Sequence, residues 1–123
     1  MATIKTHFNV VDNSGGISAE CIKVLGKRRQ YPELGSVVVL AVKKIKLKRK
    51  MKIRAHQVTY GVVTRLKKLS SRFTSFRISF DENGVVLLDK KMNPACNRIF
   101  GAVPYELRKK KHMKIVLMSQ SII

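Results

Sequence analysis

Ser36-Val37-Val38-Val39-Leu40-Ala41-Val42 decides the fold class: it is a run of β-branched and aliphatic side chains with no breaker inside it. Such side chains suit a pleated, buried surface, so the segment reads as the strongest strand of the chain. A second long strand is expected over residues 57–66. Between the two lie residues 43–54, where Lys44, Lys46, Lys48, Lys50 and Lys52 recur at every second position. An extended chain puts all five on one side, whereas a helix would scatter them round its circumference. Ile45, Leu47, Arg49, Met51 and Ile53 fall on the other side, which predicts an extended basic ribbon projecting from the body.

Working outward, residues 7–12 form a short strand that ends in Asp12-Asn13-Ser14-Gly15-Gly16, a cluster that favours a tight turn and hence a hairpin. Residues 18–25 follow as a strand, with Ala19 and Cys21 out of phase with Ile22 and Val24, as though both faces were partly covered. Phe76, Ile78 and Phe80 alternate with Arg77 and Ser79, and the turn Asp81-Glu82-Asn83-Gly84 leads into the apolar run 85–88. A further hairpin is expected there. Pro104 precedes Tyr105-Glu106-Leu107-Arg108-Lys109-Lys110-Lys111, which reads as a short helix with proline in its first turn and lysines at its negative end. Residues 113–118 read as strand. Short strands, frequent turns and little helix predict a mainly β protein, a small β-barrel with short C-terminal helices. With no repeat or linker, 1–123 reads as one domain, the barrel about 1–100 and a helical or loop part about 101–123.

Charge is the chain's second property. Lys and Arg number 26 against 7 Asp and Glu, a net charge of +19. Residues 34–80 hold 13 basic side chains and no acidic one, so the middle of the chain lacks an internal counter-charge. A polyanion, with nucleic acid first, is the expected partner. The longest apolar stretch is six residues, Val37 to Val42, so no membrane span is expected. Met1-Ala2-Thr3-Ile4-Lys5-Thr6-His7 offers no basic start followed by an apolar stretch, so neither a signal peptide nor a transit peptide is expected. Cys21 and Cys96 lack metal-ligand or redox spacing and read as buried thiols in a reducing compartment.

Catalytic chemistry is poorly supplied. Asp12, Asp81 and Glu82 adjoin Asn or Gly, and Asp89 follows a strand, so turn chemistry accounts for them. His7, His56 and His112 are far apart and out of metal-ligand spacing. No nucleophile elbow, phosphate loop or dinucleotide fingerprint is present. Neither an enzyme nor a metal or cofactor is expected. Tyr31, Tyr60 and Tyr105 could stack on bases, but core or rim packing is the commoner use of such residues, and no stacking residue is assigned.

Phe8-Asn9-Val10-Val11-Asp12-Asn13-Ser14-Gly15 followed by Cys21-Ile22-Lys23-Val24-Leu25-Gly26 resembles the opening of the large-subunit ribosomal protein 14 family. Gly61-Val62-Val63-Thr64-Arg65 with Phe80-Asp81-Glu82-Asn83-Gly84-Val85-Val86-Leu87-Leu88 is similar to that family's signature segment. Arg98-Ile99-Phe100-Gly101, Glu106-Leu107-Arg108 and Met113-Lys114-Ile115 resemble its C-terminal end. The resemblance covers nearly the whole chain. The sequence departs from it at Gly35-Ser36, in residues 52–56, at Ala102 and in its last five residues, where a common acidic ending is replaced.

The resemblance implies a five-stranded β-barrel with a projecting β-ribbon and small C-terminal helices. It further implies a structural component of the large subunit that binds large-subunit rRNA near the subunit interface, bridges to small-subunit rRNA and sits beside ribosomal proteins 3 and 19. By position it points to Lys23, Arg65, Arg98, Arg108 and Lys114 as RNA or bridge contacts. Arg28, Arg29 and Lys67, with Lys44, Lys46, Lys48, Arg49 and Lys50 of the ribbon, join them as basic candidates. Asn97, Arg98 and Lys114 would form the surface on which a ribosome-silencing factor docks in relatives. Extra lysine and sequence drift suggest an organelle-encoded copy in the mitochondrial matrix, with a plastid or a bacterial cytoplasm as alternatives. Charge alone would also suit a basic RNA chaperone or architectural nucleic-acid binder acting off the ribosome.

Overall fold

The computed structural model describes residues 6–26, 31–46, 53–72 and 74–123. Its elements in chain order are β1 (His7–Val10), β2 (Gly16–Val24), β3 (Val37–Ile45), β4 (Val58–Arg65), β5 (Ser70–Ser71), β6 (Arg77–Ile78), β7 (Gly84–Leu88), β8 (Ile99–Val103), α1 (Glu106–Lys109), α2 (Met113–Met118) and β9 (Ser119–Ile122). Strands β1, β2, β3, β4 and β7 close into a five-stranded barrel in that order. Each successive pair is antiparallel, so with an odd number of strands the closing pair must run the same way. It does: β1 and β7 are parallel, with Asn9 opposite Gly84 and Val10 opposite Val85.

The valine run behaves as its composition predicts. Val38, Leu40 and Val42 point into the barrel and are fully buried, each removing about 1.5–3 kcal/mol worth of apolar surface from water. Phe8, Ala19, Cys21, Val63, Val85 and Leu87 meet them there, and Ile53 closes in from the returning end of the basic segment. The phase change in β2 has a simple cause. The register shifts between Cys21 and Lys23, so an extra residue resets the alternation and leaves Ala19, Cys21 and Val24 buried with Ile22 exposed.

β7 is buried along its whole length because it serves two cores. Val85 and Leu87 face the barrel interior, while Val86 and Leu88 face outward into a second cluster with Val62, Ile99, Val103, Leu107, Ile115 and Val116. This second cluster seats α1, α2 and β8 against the outside of the barrel. A continuous apolar run is what a strand covered on both faces requires.

Two expectations are corrected. Residues 76–80 do not form a hairpin with 85–88: β6 pairs with β5, Ser70 opposite Ile78, and Phe76 is exposed rather than inward. β7 has both its edges taken, by β1 and β4, and has no room for that partner. Residues 113–118 are helix, not strand. An apolar run of six does not distinguish the two by periodicity, and the helix sets Ile115 and Val116 together in the second core. The ribbon is described only at its ends: β3 continues through Lys43, Lys44 and Ile45, so these belong to the barrel wall, and residues 47–52 lie outside the described residues.

The turn after β1 is fixed by one buried side chain. The Asp12 carboxylate accepts from the Ser14 amide (2.9 Å), from the Ser14 hydroxyl and from the Leu87 amide (2.9 Å). Burial pushes its pKa above the usual carboxylate value, against the pull of these bonds and of the Cys96 thiol. Asp12→Ala would leave the Leu87 amide without its acceptor in a dry site. The expected loss is about 2–4 kcal/mol of stability in urea unfolding, and an unchanged midpoint would contradict this role.

Candidate nucleic-acid interface

Six of the seven acidic side chains are engaged within the fold. Glu20 meets Lys43 (3.6 Å), Glu33 meets Lys110 (3.7 Å), Glu82 meets Arg65 (2.6 Å) and Glu106 meets Arg72 (2.5 Å). Asp12 is buried, and the Asp89 carboxylate accepts from the amides of Lys91 and Asn93 within its own turn. Lys23, Lys44, Lys46, Lys67, Arg98, Arg108 and Lys114 are all exposed. The described exterior is therefore predominantly cationic: most acids are paired or serve turns, and Asp81 alone of the seven is exposed outside these contacts.

The fold gathers some of these cations and separates others. Residues 13–16, the turn between β1 and β2, are the meeting point. On one side the Lys46 amide donates to the Gly15 carbonyl (2.8 Å), and Lys44 lies opposite Ser18 just beyond. On the other side the Asn13 side-chain oxygen accepts from the amides of Asn97 (3.1 Å) and Arg98 (3.2 Å), and the Asn13 amide donates to the Arg98 carbonyl (3.2 Å). The start of the basic segment and the loop bearing Arg98 are thus pinned to one turn.

Lys114 reaches the same loop from α2, its ammonium donating to the Asn93 side chain (2.7 Å). Asn97, Arg98 and Lys114, expected to share a docking surface, are all tied to the 89–98 segment. Lys23 lies opposite Val39, at the other end of the β2–β3 ladder from Lys44. Arg108 stands over the Tyr105 ring, 5.7 Å from its centre. Lys67 is exposed beside the 81–84 turn, its amide held by Asn83 (2.9 Å). Arg28, Arg29, Lys48, Arg49 and Lys50 lie outside the described residues.

Arg65 is used differently from the other candidates. Its side chain is only 12% exposed, and its guanidinium donates to the carbonyls of Ala102 (3.0 Å) and Phe100 as well as to Glu82. It fastens β8 to the barrel wall. Between those two carbonyls lies Gly101, at φ +79°, where a Cβ would enter the space the guanidinium occupies. A similar brace holds the far side: Arg72 grips both oxygens of Glu106 and the Ile123 carbonyl. This ion pair holds the Glu106 carboxyl below its ordinary value.

Asn13, expected only as a turn former, and Asn93, not singled out in the sequence, are the positioning residues. Nothing in their type distinguished a side chain that caps its own turn from one that reaches across to residues 97, 98 or 114. Among the described residues no group of three His, Cys, Asp or Glu side chains could hold a metal ion, and no helix is long and apolar enough to cross a membrane. Cys21 and Cys96 are buried and not joined in a disulfide.

Residues 1–123 match the family described as ribosomal protein L14p/L23e. The large ribosomal subunit protein uL14c of Eimeria tenella is 38% identical over 123 residues, covering all of both chains.

Gly101→Ala is expected to cost about 2 kcal/mol or more, because it combines a strained φ with a collision against Arg65. Equal urea midpoints would show that β8 tolerates a shifted guanidinium. A second expectation concerns His112, whose Nε2 bonds the Gly35 carbonyl (2.9 Å) and whose pKa is lowered chiefly by burial. The unfolded chain therefore takes up this proton more readily than the folded one. The histidine's contribution is complete above its ordinary value of 6.5 and is lost as pH falls from there toward the depressed folded value. Unfolding between pH 7.5 and 5.5 should show a steeper decline for wild type than for His112→Gln, and parallel curves would refute it.

Proposed function

The chain belongs to the ribosomal protein L14p/L23e family, and from that premise we propose that it is a structural constituent of the large ribosomal subunit. Its work is to hold large-subunit rRNA near the subunit interface and to bridge to small-subunit rRNA, without turnover. The observation that carries RNA binding is the segregation of charge. Of the seven acids set against 26 basic side chains, Glu20, Glu33, Glu82 and Glu106 pair with lysines or arginines of the same fold, Asp12 is buried and Asp89 serves its own turn, which leaves Asp81 exposed among many exposed cations. Arg108 can bridge a phosphate while keeping its place over Tyr105, whereas Arg65, braced on β8, contributes by positioning.

The turn 13–16 supplies the mechanism of presentation. A flexible cation loses entropy when it is ordered on a phosphate, so a loop already fixed by Asn13 binds at lower cost. Lys46 and Arg98, on either side of that turn, make a two-pronged basic edge. Ribosomal proteins 3 and 19 are the protein neighbours in this reading, and the 97–98 loop with Lys114 is the surface offered to a silencing factor. The ribosome is an organelle's. The name uL14c carries the suffix of plastid copies, which supports the plastid alternative over the mitochondrial one first expected.

Each neutralised phosphate releases condensed counterions, so affinity for large-subunit rRNA should fall steeply with salt. With about 6–10 contacts the drop is roughly 10³–10⁵-fold between 50 and 200 mM. A filter-binding titration measures it directly, and a salt-insensitive affinity would refute phosphate binding. In gradients of organelle ribosomes the chain should remain with large subunits at moderate salt. Its release into a light fraction bound to assorted RNA would favour the off-ribosome chaperone.

A further inference from the structure

The short ribbon of β5 and β6 presents a ring that the fold leaves unexplained. Phe76 is 73% exposed, the most exposed aromatic side chain among the described residues. Its alternation partners Ile78 and Phe80 do pack against the barrel core. The pattern fails at 76 because the ribbon has by then left the barrel. At its base the Phe80 amide donates to the Leu66 carbonyl (2.9 Å), and further out the Arg72 amide donates to the Phe76 carbonyl (2.8 Å). Ser75, at φ +66°, turns the chain into Phe76. The ring is thus carried on a closed, hydrogen-bonded turn.

Its surroundings are cationic. Lys67, Lys68 and Arg77 are exposed on the same ribbon or at its base, no acidic residue occurs from 34 to 80, and of the two acids that follow at the base Glu82 is paired with Arg65, leaving Asp81 against three exposed cations. Arg72, on the other strand of the ribbon, is taken by Glu106, which ties the ribbon to α1. A phenylalanine has no polar atom to hydrate, and a partner that covers its ring removes a large apolar face from water. An exposed aromatic ring adjoined in sequence by Arg77, on a ribbon with Lys67 and Lys68 at its base, suits an unpaired nucleotide: the ring stacks on the base and the cations meet the phosphates along the strand.

We propose that Phe76 is a stacking site for an unpaired nucleobase of RNA, with Lys67, Lys68 and Arg77 holding the adjoining phosphates. This rests on the RNA-binding reading above and deepens it by naming the residue that contacts a base. Stacking on a phenylalanine is tolerant of base identity, because every base has a π-face. The site therefore selects for an unstacked nucleotide, a loop or bulge, rather than for a sequence.

The chain contains no tryptophan, so Phe76→Trp installs a single indole as a reporter. Full-length protein is titrated with transcribed large-subunit rRNA. The indole fluorescence should be quenched on binding, and Phe76→Trp should bind as tightly as wild type. Phe76→Ala should weaken binding about tenfold at fixed salt while the slope of log K against log salt stays the same, since no charge is lost. Arg77→Gln should instead reduce that slope. Because the ring is exposed, the urea midpoint of Phe76→Ala should equal that of wild type, which separates stacking from folding. Wild-type affinity in Phe76→Ala, or an unquenched indole on bound RNA, would overturn the proposal and point to a protein neighbour over the ring. A wild-type protein that does not bind the RNA at all would instead overturn the reading beneath it.

Discussion

β7 is clad on both faces, and most of the molecule depends on that. Val85 and Leu87 fill the barrel while Val86 and Leu88 floor the second core, so a single strand of five residues belongs to two packed interiors. Its edges are equally committed, one to β4 and one to the parallel partner β1. Parallel closure gives less per residue than an antiparallel ladder, and here it is short. The Asp12 carboxylate reinforces it by holding the Leu87 amide from the end of β1. The barrel and the C-terminal elements therefore cannot loosen independently: a shift of β7 would open both cores at once.

This coupling matters for a chain of such lopsided charge. At +19 the folded state is stressed by self-repulsion, which a shell of cations at fixed distances cannot relieve by moving apart. The few acids are placed where they also join elements. Glu82–Arg65 links the 81–84 turn to β4 and through it to β8, and Glu106–Arg72 links α1 to the outer end of the β5–β6 ribbon. Surface ion pairs are worth little singly, but both of these arginines are mostly covered and also grip backbone carbonyls. They act as braces more than as charge neutralisers. What is left outside is a cationic surface with a rigid support, which is what proposed phosphate contacts at Lys46 and Arg98 require.

The barrel was legible because its signals are local and redundant. β-branched side chains in residues 36–42 and an Asx-Gly turn cluster after residue 11 agree on strands. Resemblance to a ribosomal family then supplied the number of strands, which periodicity alone does not contain. Where reading failed, the information was not local. Residues 113–118 are apolar enough for either strand or helix, and only the outer face of β7 decides between them. Likewise, the alternation of Phe76, Ile78 and Phe80 is genuine, yet it says nothing about where the ribbon leaves the barrel. The bulge after Cys21 is silent for the same reason: an extra residue looks like an irregular phase until its partner strand is known.

The basic side chains show the limit most sharply, because residue type cannot tell a contact from a brace. Arg65 and Arg98 were equal candidates by position in the resemblance, and both precede or follow conspicuous strand residues. In the fold their backbones lie against opposite kinds of neighbour. Arg65 is in a strand whose side chain faces the two carbonyls flanking Gly101, a backbone left open by a glycine at positive φ, and the guanidinium has enough donors to fill that opening and hold Glu82 together. Arg98 has its backbone taken on both sides by Asn13, and its side chain is left pointing away into solvent exposure. One arginine is consumed in building the surface and the other is displayed on it. The distinguishing signal is not in either arginine but in its pair: a glycine that only an absent Cβ permits at 101, and an asparagine at 13 with one oxygen shared between two amides.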